Sequence, residues 1–223
     1  MNLLAFPSDF RWGVATASHQ NEGGNRANQW AAWEQVPGRI YQGQVSGQAA
    51  DWWHPTRAEA DFDRAADLGL NALRLSVEWS RIEPEPGVFS RDALARYAEM
   101  VWSLRRRGIE PLVTLHHFTD PLWLTELGGW ENPLIGDYFS RFVTRVVHAL
   151  GDQVTFWCTI NEPIVYAFYG YKDGRFPPGA TSLRRAVNVL RNMLLAHGRA
   201  YRTIHRIQND ARVGLAHHMR YFL

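Results

Sequence analysis

The sequence predicts an incomplete α/β barrel of the (β/α)8 TIM type, forming one partial domain over residues 1–223 with about five βα units. Three observations support this prediction. Short apolar runs alternate with long amphipathic segments, which indicates strands of a parallel sheet joined by helices. No glycine-rich fingerprint follows any of the runs, which argues against a doubly wound sheet. Polar and aromatic residues collect where the runs end, as they do at the mouth of a barrel.

The predicted elements follow one another without a linker or a low-complexity tract. Alternating apolar residues predict strands over 10–18, 71–79, 110–118, 154–161 and 212–219. Apolar residues at helical spacing, with glycines closing most of the segments, predict helices over about 55–68, 90–107, 132–150 and 182–207. Ser90 and Asn132 are the predicted N-caps of the second and third helices, and Pro133 takes the first helical position behind Asn132.

Five strands are too few to close a barrel of eight, and the whole fold usually needs about 250 residues. An unpaired first strand and an unpaired fifth strand would leave two open edges, which favour association. We therefore expect either a homo-oligomer or a second chain that supplies the C-terminal half of the barrel. A truncated product is the remaining alternative.

The composition is that of an ordinary globular protein, with 46% hydrophobic and 21% charged residues. A net charge of +2, with arginines spread along the helices, gives no sign of nucleic-acid binding. The single cysteine, Cys158, excludes an internal disulfide and a multi-cysteine metal site. The first residues do not resemble a signal peptide, and no apolar run approaches the ~18 residues that suggest a membrane span. These features predict a cytoplasmic protein without a metal centre.

The stretch from Trp157 to Pro163 carries the clearest chemical signal. Strict alternation would put Asn161 and Glu162 on opposite faces of the strand, but Pro163 ends the strand, so both side chains can turn into the mouth. A carboxylic acid in an aromatic-rich mouth can act as a general acid, and an amide beside it can bind a sugar hydroxyl. From these residues alone, the alternative is an Asn–Glu pair that caps a helix.

Several stretches, in order along the chain, resemble family 1 glycoside hydrolases, which are retaining β-glycosidases. Residues 159–163, Thr-Ile-Asn-Glu-Pro, are similar to the family's T-x-N-E-P motif. Residues 6–20, 73–82 and 113–118 resemble its first three strands, and 128–130 (Gly-Gly-Trp) and 176–179 (Phe-Pro-Pro-Gly) also match. The resemblance covers essentially the whole chain and corresponds to the N-terminal part of such an enzyme.

The resemblance implies roles for individual residues. Glu162 would be the general acid/base, and Asn161 would bind the 2-hydroxyl of the sugar. Gln20 and His117 would bind hydroxyls remote from the scissile bond, and Arg74 would support the nucleophile. The resemblance implies a β-linked sugar as substrate and no cofactor.

Two aromatic residues complete the expected substrate-binding set, Phe118 and Trp130. Phe118 stands where the family commonly has a tryptophan, so it keeps the apolar face and loses the indole donor. One lost neutral hydrogen bond is worth roughly 0.5–1.5 kcal/mol, which changes affinity or sugar preference without abolishing binding.

Taken alone, two of these residues have simpler interpretations. His117 would be a hydrogen-bonded buried histidine, and Arg74 would be an internal ion-pair partner of Glu78. Three further histidines lack a match in the family pattern and are expected to be structural or solvent-facing: His19, His217 and His218.

Retaining hydrolysis needs a second carboxylate about 5–5.5 Å from the first. The family carries it on its seventh strand in a T-E-N-G-like motif, which this chain lacks. Glu78 and Asp120 are the acids nearest to a replacement, and neither matches the family's position. The sequence therefore predicts a retaining β-glycosidase whose nucleophile is absent from this chain. The alternative is an inactive half-barrel that binds sugar or only folds and assembles.

Overall fold

Five parallel strands form the centre of the structure, a computed structural model that describes residues 5–219. The strands are Gly13–Ala15 (β1), Ala72–Ser76 (β2), Glu110–His116 (β3), Phe156–Asn161 (β4) and Arg212–Ala216 (β5). Their order in the sheet is the same as their order in the chain, and each pairs in parallel with the next. A doubly wound sheet reverses its strand order at a switch point, whereas this sheet continues in one direction as a barrel wall does.

Helices fill every connection between the strands. The α-helices of residues 5–219 are Ser18–Asn21 (α1), Gln29–Glu34 (α2), Arg57–Asp67 (α3), Trp79–Ile82 (α4), Arg91–Arg106 (α5), Leu122–Glu126 (α6), Ile135–Leu150 (α7), Pro163–Ala167 (α8) and Leu183–Ile207 (α9). A π-helical turn, Phe168–Lys172, continues α8, and a 3-10 turn, Gly129–Glu131, precedes α7. The long helices α3, α5, α7 and α9 each lead into the next strand, whereas the short ones lie in the loops that follow the strands.

The hydrophobic core lies between the sheet and the long helices. Leu73 and Leu75 of β2 point outward into this core, so Arg74 between them points to the inner face of the sheet. On the helix side, α7 buries an apolar stripe at helical spacing that includes Phe139, Phe142, Val143, Val146 and Val147. Burial of each large side chain stabilises the fold by roughly 1.5–3 kcal/mol, so the core fixes the strands and the loops that leave them.

Four of the five strands end earlier than the alternation of apolar residues predicts, whereas β4 ends at Asn161 as predicted. β1 ends before Ser18, and β2 ends before Trp79, because each of these residues begins a short helix. The predicted cap Ser90 is confirmed, since its hydroxyl accepts the Ala93 N–H at 3.1 Å. The predicted cap Asn132 is wrong: its side chain accepts the Leu134 N–H at 2.8 Å in a turn, and α7 begins only at Ile135.

Both edges of the sheet are open within the described residues. All of β1 is exposed, with Val14 retaining 47% of its accessible surface. A groove of about 400 Å³ lies along the inner side of the sheet, with Arg74, Phe156 and Cys158 in its wall. No helix between residues 5 and 219 combines the length and apolarity needed to cross a membrane.

Candidate active site

Arg74 organises the inner face of the sheet at the carboxyl ends of three strands. Its Nε donates to Thr114 Oγ1 on β3 at 2.8 Å, and its Nη2 donates to Asn161 Oδ1 on β4 at 2.5 Å. The interpretation of Arg74 as an ion-pair partner of Glu78 is wrong, because the Glu78 carboxylate is bonded to hydroxyl groups instead. Arg74 therefore sets the orientation of the Asn161 amide.

A β-bulge places Asn161 on the inner face. Cys158 lies opposite Gly214 and Asn161 lies opposite Ala216, so β4 advances three residues while β5 advances two. The extra residue reverses the alternation of β4. Cys158 and Asn161 consequently face the same side, and both contact Arg74 Nη2, at 3.9 Å for Cys158 Sγ.

Glu162 follows the strand in a left-handed backbone conformation, with φ 43° and ψ 60°. Its N–H donates to the Ala216 carbonyl oxygen at 2.8 Å, and Pro163 occupies the first position of α8. Although Glu162 stands at the N-cap position, its carboxylate makes no capping hydrogen bond, so the helix-cap interpretation is wrong. A strained non-glycine residue of this kind is commonly found at a functional site.

The Glu162 carboxylate is partly open to solvent, with 32% of the side chain exposed. The side chain of His218, a residue expected to be structural or solvent-facing, is 39% exposed. Its Nδ1 lies 3.4 Å from Oε1 of Glu162, so it contacts the predicted acid/base. His217 lies on the same segment after β5.

Gln20, His117 and Phe118 line one cavity of about 400 Å³. Gln20 lies in α1, directly after β1, whereas His117 and Phe118 directly follow β3. Residues at the ends of two different predicted strands thus converge at the carboxyl end of the sheet. Other side chains in the wall of this cavity include His19, Trp30, Glu34, Thr119 and Phe176.

Burial lowers the pKa of His117 to about 3, and the nearby charges of Arg74 and His116 act in the same direction. The imidazole is therefore neutral near pH 7, with one nitrogen as donor and the other as acceptor. Its Nδ1 is buried without a hydrogen-bond partner among residues 5–219, so the interpretation of His117 as a satisfied buried histidine is wrong. With Nδ1 buried, Nε2 is the nitrogen left to bind a hydroxyl group from the cavity.

Phe118 also has a left-handed backbone, with φ 69°. Its carbonyl oxygen accepts the side-chain N–H groups of Gln29 at 2.8 Å and of Trp30 at 3.1 Å. Its ring lies 5.1 Å from His117 and 5.8 Å from Phe176 between centroids. Because the indole N–H of Trp30 is committed to this carbonyl, it does not replace the donor that Phe118 lacks.

Trp130 does not reach the cavity. It has no exposed surface, and its indole N–H donates to Asp120 Oδ1 at 2.9 Å. Its ring packs against His116, with 4.9 Å between centroids, and against Phe139 at 5.6 Å. As placed here, Trp130 supports the end of β3 from behind, and the substrate contact expected for it is not formed by this arrangement.

The two candidate replacement nucleophiles, Glu78 and Asp120, are both buried, and their carboxylates accept hydrogen bonds from the protein. Glu78 accepts hydroxyl hydrogens from Ser18, Ser80 and Thr119 at 2.8 to 2.9 Å. Asp120 accepts from four side chains, namely His116, Trp130, Gln29 and Tyr166. Neither carboxylate is free to attack a sugar, since each is enclosed by donors of the protein itself.

Sequence reasoning missed a paired acid in the cavity wall. Glu34 Oε1 lies 2.8 Å from Nε2 of His19, a residue expected to be structural or solvent-facing. Burial raises the pKa of Glu34, but hydrogen bonds from the Ser46 backbone and from His19 outweigh it and lower the pKa overall. The one sequence signal was the cap residue Asn28, since Trp30 and Glu34, four residues apart, lie on one face of a helix that begins there.

The chain matches the model of glycosyl hydrolase family 1 over residues 3–222. It is 35% identical to the beta-glucosidase A of Acetivibrio thermocellus, over 99% of this chain and 50% of that protein. It is also 35% identical to the beta-glucosidase A of Thermotoga maritima, over 100% of this chain and 51% of that protein.

Solved structures agree with the sequence matches. The family 1 β-glucosidase of Thermotoga maritima superimposes with a TM-score of 0.92 and 34% identity, over 96% of this chain and 49% of that one. The β-glycosidase of Pyrococcus horikoshii superimposes with a TM-score of 0.86 and 40% identity, over 94% and 48%. The chain spans about half the length of the relatives it matches. It belongs to glycosyl hydrolase family 1, and its five-stranded sheet is an incomplete TIM barrel of that family.

Proposed function

We propose that this chain is the acid/base half of a retaining β-glycosidase that cleaves O-glycosidic bonds of β-glucoside-like substrates, with Glu162 as the general acid/base. One observation carries the proposal. The Glu162 carboxylate stands at the carboxyl end of β4 in a strained turn, uses no oxygen to cap α8, and follows an asparagine that Arg74 holds at 2.5 Å. The names of the matched relatives, which are β-glucosidases, support the substrate class.

In the proposed reaction, protonated Glu162 gives its proton to the glycosidic oxygen while the bond from that oxygen to C1 breaks. A second carboxylate attacks C1 and forms a covalent glycosyl-enzyme. Glu162, now ionised, then takes a proton from water, and the resulting hydroxide displaces the carboxylate from C1. The proton that Glu162 gives to the leaving group in the first step is thus replaced by one from water in the second.

The remaining site residues bind and orient the sugar in this proposal. Asn161 binds the 2-hydroxyl, a contact that strengthens in the oxocarbenium-like transition state. Neutral His117 and Gln20 bind hydroxyls remote from the bond, and Phe118 offers an apolar ring to the cavity. Arg74 keeps Asn161 in place and offers its guanidinium to the second carboxylate.

We propose that the nucleophile lies in the half of the barrel that this chain does not span, carried either on a longer polypeptide or on a second chain. Two observations support this. Glu78 and Asp120 are enclosed by hydrogen bonds, and the chain covers only about half of each matched relative. A cytoplasmic location and a homo-oligomeric alternative remain predictions.

The test is hydrolysis of phenyl β-glucoside by the purified chain, alone and co-purified with the C-terminal half of the Thermotoga maritima β-glucosidase A. Phenol is a poor leaving group, so cleavage needs the acid. We expect turnover in the complemented sample and a loss of at least about 100-fold in Glu162→Gln.

The matched control is Glu131→Gln, which removes a partly exposed carboxylate paired with Arg185 and should leave turnover unchanged. Undiminished hydrolysis by Glu162→Gln would contradict the role of Glu162. A folded chain that binds 1-deoxynojirimycin without turnover in either sample would instead favour the sugar-binding half-barrel.

A further inference from the structure

A single buried carboxylate, that of Asp120, joins four elements behind the proposed site. It is 2% exposed, and its donors come from β3, from the 3-10 turn before α7, from α2 and from α8. Oδ1 accepts from His116 Nε2 at 3.0 Å and from Trp130 Nε1 at 2.9 Å. Oδ2 accepts from Gln29 Nε2 at 3.2 Å and from the Tyr166 hydroxyl at 2.5 Å. The proposed reaction gives this carboxylate no role.

The turn at Phe118, one of the two strained turns of the site, is hydrogen-bonded to Asp120 through Gln29 of α2. Gln29 Oε1 accepts the Asp120 N–H at 2.5 Å, and Gln29 Nε2 donates both to Asp120 and to the carbonyl oxygen of left-handed Phe118. Backbone bonds complete the lock, with the Gln29 N–H donating to the Asp120 carbonyl and the Leu122 N–H donating to the Ala27 carbonyl, both at 3.0 Å.

The other strained turn, at Glu162, is connected to Asp120 through Tyr166 of α8. The Tyr166 N–H donates to the carbonyl oxygen of left-handed Glu162 at 3.1 Å, and the Tyr166 hydroxyl reaches Asp120 from the same helix turn. Burial and the Asp120 charge raise the pKa of Tyr166 well above its ordinary value, so the phenol remains a donor. A strained conformation persists only where surrounding contacts fix it, and here both strained turns share one acceptor.

We propose that Asp120 is a positioning residue that couples the Phe118 turn to the Glu162 turn. It thereby holds the acid/base at a set position relative to the cavity wall formed by His117 and Phe118. The catalytic meaning of this coupling rests on the function proposed for Glu162, whereas the coupling itself does not. Asp120→Asn keeps the shape of the side chain but replaces one accepting oxygen with a donor group, so at least one of the four donors loses its partner.

Amide hydrogen exchange on the full chain tests the coupling without any need for activity. In Asp120→Asn we expect exchange to rise about tenfold or more at the amides of Gln29, Leu122 and Tyr166, because both turns lose a charge-assisted bond. The matched control is Glu83→Gln. Glu83 is also fully buried and accepts from Trp79 Nε1 at 2.8 Å and from the Gly87 N–H at 2.7 Å. Glu83→Gln should leave the exchange rates of the Gln29, Leu122 and Tyr166 amides unchanged.

Unchanged exchange at these amides in Asp120→Asn, or an equal rise in Glu83→Gln, would overturn the proposal. If Asp120→Asn does not fold, Tyr166→Phe removes the one side-chain hydrogen bond from α8 to Asp120 within residues 5–219. Exchange should then rise at the amide of residue 166 and stay constant at Gln29 and Leu122. A Tyr166→Phe protein that exchanges at the wild-type rate at residue 166 would overturn the coupling equally.

The catalytic meaning is tested by comparing two substrates in the complemented barrel, phenyl β-glucoside and 2,4-dinitrophenyl β-glucoside. Only the first needs a proton from Glu162. A displaced acid should lower kcat/KM for the phenyl substrate about tenfold or more and leave the dinitrophenyl substrate within about twofold. Loss of folded protein would lower both values by the same factor.

The two proposals fail separately in this comparison. If Glu162→Gln lowers both substrates equally, the function proposed for Glu162 fails. If Glu162→Gln selects against the phenyl substrate and Asp120→Asn does not, Asp120 is not a positioning residue.

Discussion

The buried imidazole of His117 makes the stability of the fold depend on pH. Its imidazole is largely buried beside the guanidinium of Arg74, and folding lowers its pKa from the ordinary 6.5 to about 3. Between these values the unfolded chain binds a proton that the folded chain excludes. Stability from this group is therefore fully present above pH 6.5 and is lost as the pH falls toward 3.

The corresponding prediction concerns His117→Asn. Between pH 7 and pH 5 the wild-type chain should lose about 2 kcal/mol more unfolding free energy than the variant, measured by urea denaturation at both pH values. Phe118→Leu serves as the control, because it loosens the same turn without a titrating group and should shift stability equally at both pH values. Parallel pH curves for wild type and His117→Asn would contradict the buried neutral imidazole.

For single residues, the position at a strand end was easier to predict than the direction of the side chain. The positions of Gln20, His117, Asn161 and Glu162 follow from strand ends and from the family resemblance. The bulge that turns Asn161 inward leaves no mark in the sequence, since it depends on the register against β5. The burial of Trp130 was also beyond the sequence, because a Gly-Gly-Trp motif does not show whether its indole meets a substrate or an internal carboxylate.

At the scale of elements, helix caps provide a matched pair. Ser90 caps α5 with its side chain, whereas Thr56 stands at the N-cap position of α3 without a capping bond. Ser90→Ala should therefore lower the unfolding free energy by about 1 kcal/mol, and Thr56→Ala should change it by less than about 0.5 kcal/mol. Chemical denaturation of both variants checks this, and equal losses would show that cap position alone, without the side-chain bond, sets the stability.

Long elements were predictable and short ones were not. The crossover helices α3, α5, α7 and α9 span 11 to 25 residues, so several apolar turns recur and reveal the period. The helices α1, α2, α4, α6 and α8 span four to six residues, too few to show a period. These short helices are the ones that carry Gln20, Trp30 and Tyr166, so the loops that shape the site were the least predictable part of the fold.

Within residues 5–219 the five strands form part of a barrel wall whose two edge strands, β1 and β5, each pair on one side only, and the count of strands in the sequence was enough to predict this. What covers the edges was not predictable, because a parallel edge offers the same backbone groups to any strand. Near β1, three aromatic rings are exposed and packed together, with centroids 4.6 to 4.7 Å apart: Phe6, Phe10 and Trp12. Apolar surface of this kind on an edge favours association.

The last prediction follows from that edge. The isolated chain should associate in a concentration-dependent way, because β1 presents unpaired backbone groups and the apolar side chain of Val14, which is 47% exposed. Val14→Lys places a charge on this edge and should shift the chain toward monomer in sedimentation velocity runs. The control is Val187→Lys, which places the same charge on a helix instead of a strand, at a position of α9 that is 53% exposed, and it should sediment like the wild type. If both variants associate like the wild type, β1 is not the contact. Loss of association in both would show that charge alone, wherever it is placed, keeps the chains apart.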